Sequence, residues 1–115
     1  MIVVANRVPV AKGKEAEFAA RFRDRAGLVE HHAGFVRLEI LRPEVIRLQG
    51  HEMGGSDYHV VLTYWERTQD FVAWTESEDF RKAHSQQAPK EMFAGQSVFE
   101  LHEIIQSAGK AVDLP

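Results

Sequence analysis

The sequence predicts an α+β fold: one antiparallel four-stranded sheet covered on one face by helices. Three observations predict it. Apolar residues alternate with a period of two in four short segments, 2–10, 35–42, 58–66 and 98–105. Between the first and second, and again between the third and fourth, the period changes to that of a helix. With 115 residues, 44% of them hydrophobic and 27% charged, the chain has the make-up of one globular domain. We expect that domain to span residues 1–107, with 108–115 a C-terminal tail.

In the first strand Ile2, Val4, Val8 and Val10 share a face with Asn6, and Val3, Ala5 and Arg7 take the other. Pro9 marks the strand's edge or exit. Residues 14–32 read as a helix, with Phe18, Phe22, Ala26 and Val29 on one stripe and Gly34 as the stop. The strand from Phe35 to Arg42 places Val36, Leu38 and Ile40 together and ends at Pro43. Val45, Ile46 and Leu48 extend that strand or begin a hairpin, and His51 to Asp57, with Gly54-Gly55, reads as a turn.

The third sheet strand, Tyr58 to Glu66, sends Val60, Leu62 and Tyr64 one way and Val61 and Trp65 the other. Thr68 is the expected N-cap of a short helix carrying Phe71 and Trp74, with Asp70 in its first turn. Ser77 caps a second one carrying Phe80, Ala83 and His84, with Glu78 and Asp79 in its first turn. A loop over 85–96 leads to the last strand, Val98 to Ile105. The order β-α-β-β-α-β, with its second helix broken in two, is the split βαβ or ferredoxin-like pattern. The strands are apolar on both faces, and one helix layer covers only one. We therefore expect a homodimer packed sheet to sheet, a dimeric α+β barrel.

Composition removes several function classes. The net charge of −3 offers no basic surface for nucleic acid. The absence of cysteine removes disulfides, thiolate metal sites, iron–sulfur clusters and cysteine nucleophiles. We find no leader-like N-terminus and no apolar run that would cross a bilayer, so a cytoplasmic protein without membrane attachment is expected. There is no HExxH zinc pattern, Gly-rich phosphate loop, compact carboxylate dyad or Ser-His-Asp spacing.

Three residues stand out. His84 shares a helical face with Phe80, where an imidazole either ligates a metal through one nitrogen or is a satisfied core histidine. Asn6 interrupts an aliphatic strand face; its amide either bonds a neighbouring backbone or points into a cavity. Trp74 on an amphipathic helix is core packing or a pocket wall, and Trp65 is assigned to the sheet. His31-His32 at a helix end, His51 in a loop and His59 and His102 in strands do not assemble with one another.

The segment FVAWTESEDFRKAHS, residues 71–85, resembles the Trp-to-His helix pair of the IsdG-type haem-degrading monooxygenases, with the same ten-residue spacing. ANRVPVAKGKEAEFAARFRDR, residues 5–25, resembles the same group's first strand and helix, including the asparagine and the pair Arg21-Phe22. GFVRLEILRP and TYWER fit the surrounding antibiotic biosynthesis monooxygenase (ABM) superfamily, and the likeness extends over about residues 2–105.

The resemblance implies a haem oxygenase. Haem is both substrate and cofactor, and the ring is opened by dioxygen with release of iron. It implies His84 as axial ligand of the haem iron, Asn6 as a distal hydrogen-bond donor toward dioxygen, and Trp74 as the residue that presses the porphyrin out of plane. Phe22, Phe71 and Phe80 would be apolar walls. By proximity in the sequence alone, Arg21, Arg25 and Lys82 are either partners of the propionates or a solvated helix surface. The chain shows no flavin or nicotinamide motif, so electrons are expected from an external reductase or reductant. The alternatives are a cofactor-free ABM-type monooxygenase acting on a polycyclic phenol or quinone, and a non-enzymatic haem carrier or sensor.

Overall fold

A computed structural model describes residues 1–24 and 27–110. The central strand is β1 (Ile2–Val8), flanked on one side by β5 (His59–Trp65) and on the other by β6 (Val98–Glu103). β2 (Phe35–Leu41) completes the sheet beyond β5, so the order is β2-β5-β1-β6 with every neighbour antiparallel. This is the expected ferredoxin-like order. Both crossovers carry helix: α1 (Glu15–Arg23) after β1, then α2 (Thr68–Thr75) and α3 (Glu78–Ala83) after β5.

Register confirms the strand phase. Asn6 lies opposite Val61 on β5 and Phe99 on β6, and Ile2 and Val4 stand on its face beneath the helices. Trp65, opposite Ile2, is fully buried. The core falls into two clusters. One gathers Ile2, Val4, Val29, Trp65, Trp74 and Ala83; the other gathers Val8, Phe18 and Met92. Three short helices cannot fill the space above a four-stranded sheet, and the gap between the clusters is where the site lies.

The structure corrects several local expectations. The helix expected over 14–32 ends at Arg23, and Val29–His31 form a separate 3₁₀ turn. Gly27 has φ +98°, a left-handed backbone that a continuing α-helix does not contain. Ala26 and Arg25 lie outside the described residues.

The turn expected at 51–57 is instead strand β4 (His51–Gly54), paired with β3 (Val45–Leu48) in a separate hairpin. Its turn is Gln49-Gly50, with φ of 51° and 80°; positive φ at both positions suits a two-residue hairpin. Glutamine is an uncommon choice there, which hid the turn. Thr68 is the first residue of α2 rather than its cap: Arg67 stands at the N-cap without a side-chain cap bond. Ser77 does cap α3, its hydroxyl accepting the N–H of Phe80.

Gly34, expected as the helix stop, has a different task. At φ +80° it lies against α2, where an added Cβ would overlap the side chain of Asp70. β6 ends at Glu103, and residues 104–110 carry no regular structure. Among the described residues no helix is long and apolar enough to cross a membrane.

Candidate functional site

Between the sheet and the helices is a cavity of about 470 Å³. Asn6, Phe22, Phe71, Trp74, Phe80 and His84 all line it. They come from β1, α1, α2, α3 and the residue after α3, so tertiary packing brings together side chains up to 78 positions apart. The size falls within the range of small-molecule and cofactor sites.

His84 follows the last residue of α3, and its backbone N–H still bonds to the carbonyl of Phe80 at 3.1 Å. Its ring lies stacked on Phe80, centroids 4.1 Å apart. Nδ1 is 2.8 Å from the same Phe80 carbonyl oxygen. A carbonyl only accepts, so Nδ1 carries a proton, and in the neutral ring Nε2 keeps its lone pair. Orienting an imidazole through its far nitrogen in this way is the usual support of a metal-ligating histidine. Among the described residues no three His, Cys, Asp or Glu groups are clustered to hold a metal ion, so a bare ion would find too few protein ligands here. That suits an iron already ringed by four macrocycle nitrogens.

Asn6 sits on the sheet floor of the cavity. The sequence left open whether its amide bonds the backbone; among the described residues it has no protein partner, and it is solvent-accessible. Trp74 is nearly buried and stands edge to face with Phe80 at 5.5 Å. Phe71 stacks with Phe99 at 6.1 Å, and Phe22 packs edge-on against Phe18 at 5.1 Å.

Arg21 does not line the cavity. It is on α1, and its Nη2 donates to the carbonyl of Gln86 at 2.6 Å, tying that helix to the loop two residues past His84. Lys82 is exposed on α3 and does not line the cavity either.

Sequence reading passed over Thr63, Phe99 and Glu30, which also line the cavity. Phe99 had a usable signal: it lies opposite Asn6 in the β1–β6 register, which needs the pairing to be known. Trp65 is where it was assigned, in the core, with its indole N–H donating to Thr63 Oγ1 at 2.9 Å.

α2, which carries Phe71 and Trp74, is secured at its start. Arg67 Nη2 and Nε donate to the two carboxylate oxygens of Asp70 at 3.0 and 3.2 Å. The Arg67 hydrogen bond holds the Asp70 carboxyl below its ordinary value and raises the guanidinium's.

A helix-covered antiparallel sheet with such a cavity has known relatives. The model of the family described as antibiotic biosynthesis monooxygenase matches residues 1–86, and the chain belongs to that family. It is 39% identical over 85 residues to a heme-degrading monooxygenase of Shouchella clausii, covering 74% of this chain and 72% of that protein. It is 28% identical over 108 residues to the mycobilin-producing heme oxygenase of Mycobacterium tuberculosis, covering 94% and 93%. Among solved structures, the heme-degrader MhuD of that organism, with two hemes bound in its active site, matches with a TM-score of 0.71 at 26% identity. That match covers 95% of this chain and all of MhuD.

Proposed function

We propose that this protein is a haem-degrading monooxygenase, with haem seated in the cavity between sheet and helices as both substrate and cofactor. One observation carries the reading. The Phe80 carbonyl occupies His84 Nδ1, leaving Nε2 as a lone-pair donor in an apolar cavity of porphyrin-compatible chemistry. The names of the relatives support the same class of substrate.

When bound, haem supplies the redox-active iron at which dioxygen is reduced and the macrocycle opened. The chain's own residues bind, orient and exclude water. His84 Nε2 would hold the iron, and its stack on Phe80 keeps the ring from turning. Asn6, with an unpartnered amide, would donate a hydrogen bond on the oxygen-binding side; an amide does not titrate, so it orients without acting as a base. Trp74 would press on the macrocycle, and Phe22, Phe71 and Phe80 would keep water away from it. Arg21, at the loop after His84, would reach a propionate with the N–H groups that Gln86 leaves free.

Electrons would come from a separate reductase or small reductant. The sheet's outer face carries Leu41 and Val98, both more than a third exposed, beside Val60 and Leu62. Covering that face with a second copy's sheet would give the homodimer. The domain would run over 1–107 with 108–115 as a tail.

The test is a haemin titration of the purified protein. A saturable Soret band is expected, followed by its decay in air with ascorbate, an iron chelator and catalase. Absence of stoichiometric binding overturns the proposal. A Soret band that persists under turnover conditions assigns the protein as a haem carrier instead.

A further inference from the structure

Trp65 and Trp74 are held in different ways. Trp65 is locked by its hydrogen bond to Thr63 and by edge contacts with Phe35 at 5.3 Å and Phe71 at 5.9 Å. The Trp74 indole N–H makes no hydrogen bond among the described residues, so packing alone sets its orientation. Part of that packing is polar. The ring of His32 meets Trp74 at 4.8 Å and 72°, edge to face. His32 does not line the cavity, whereas Trp74 does.

His32 is itself fixed. Its Nε2 lies 3.0 Å from Asp79 Oδ2, across 47 residues of sequence. Its backbone N–H bonds to the carbonyl of Val29, and its carbonyl accepts the N–H of Phe35, both at 3.1 Å. Asp79 is the second residue of α3, and the start of α3 is pinned to the end of α2. The Ser77 hydroxyl donates to the carbonyl of Trp74 at 2.7 Å while accepting the N–H of Phe80 at 3.1 Å. The carboxylate that holds His32 is therefore referenced to the backbone of Trp74 itself.

We propose that His32, anchored by Asp79, is a positioning residue for Trp74. It braces the indole so that the tryptophan keeps its place when a planar ligand fills the cavity. The contacts continue from Trp74 to Phe80 and from Phe80 to His84, so the same brace stiffens the wall on which the imidazole ligand rests. A wall that yields would let the ligand relax and lose the geometry the reaction needs. This inference rests on the reading of the cavity as a haem site.

Its test uses the full chain in two arms. With haem bound, His32→Ala should keep the Soret titration within about threefold of the parent while slowing haem decay about three- to tenfold, the worth of one edge-to-face ring pair. His32→Gln, which keeps an N–H donor for Asp79 but removes the ring, should show the same slowing. Asp79→Asn should slow decay by less. On a Trp74→Phe background His32→Ala should add no further loss, because the two act through one group. Losses that multiply, or an unchanged rate in His32→Ala, overturn the proposal.

Without haem, the ¹⁵N indole resonance of Trp74 should shift or broaden in His32→Ala and in Asp79→Asn, with that of Trp65 unmoved. An unmoved Trp74 resonance overturns the brace whether or not haem binds. Failure of the parent to bind haem overturns the site reading and leaves this second arm decisive for the brace.

Discussion

Two cavities of the molecule differ in kind. The larger, about 780 Å³, lies beside the base of the β3–β4 hairpin and is lined by Lys12, Glu15, Arg42, Asp57, Tyr58 and His59. Its charges are mixed, and Glu15 and His59 are already engaged. Glu15 accepts the N–H of Gly13 at 3.2 Å, and backbone N–H groups hold its carboxyl below the ordinary value. His59 is buried edge-on against Phe18. The smaller cavity has one imidazole with a bare nitrogen, one amide without a partner and a wall of aromatic rings. Volume is a poor guide to function here. An apolar space with a few convergent, unsatisfied polar groups can seat and orient an apolar ligand; a wide cleft lined by mixed charges offers no such apolar seat.

The difference between the cavities can be broken most sharply at His84. His84→Ala removes the only protein ligand proposed for iron, and haemin affinity should fall by at least about 100-fold, read from the Soret titration. Retained affinity would move the ligand elsewhere. Asn6→Ala should leave that titration nearly intact and slow haem decay by about 100-fold, as loss of one preorganised donor does. An unchanged decay rate removes Asn6 from the reaction.

A subtler effect concerns the support of the cavity wall. Because Arg67 holds the Asp70 carboxyl below its ordinary value, the stabilisation is complete above that value, near pH 4. It is lost as pH falls through the lower, folded-state value. Urea midpoints from pH 5 to pH 2 should therefore fall less steeply in Asp70→Asn than in the parent. Equal slopes would show that the pair does not couple to folding. The smallest effect on function is expected in the other cleft. His59→Ala should leave haemin binding unchanged while lowering stability by about 1 to 2 kcal/mol through the lost ring contact with Phe18. Weakened haem binding in that variant would mean that the two cavities act as one.

Much of the site is legible in the amino-acid sequence. Asn6 is marked by strand phase, because a period of two sends it to the same face as Ile2 and Val4. His84 is marked by sharing a face with Phe80, and the structure shows those rings stacked. Ser77 is legible as a cap because its hydroxyl, followed by two acids, suits a helix start. Arg21 is less legible: nothing local says that its guanidinium turns to Gln86, 65 residues on. The hairpin turn is hidden because Gln49 takes a left-handed conformation that its residue type seldom adopts.

Local periodicity by itself determined the order of the four sheet strands and their helical crossovers, the faces of those strands and the chemistry available at Asn6 and His84. These follow from backbone geometry, which repeats every 2 or about 3.6 residues whatever surrounds it. Only the tertiary structure decided that Asn6 and His84 open into one cavity, that Phe80's carbonyl fixes which nitrogen of His84 is free, and that Asp79 and His32 reach Trp74 from behind. Each of these depends on side chains from separate elements meeting across the space between sheet and helices. Spacing along the chain does not encode that distance.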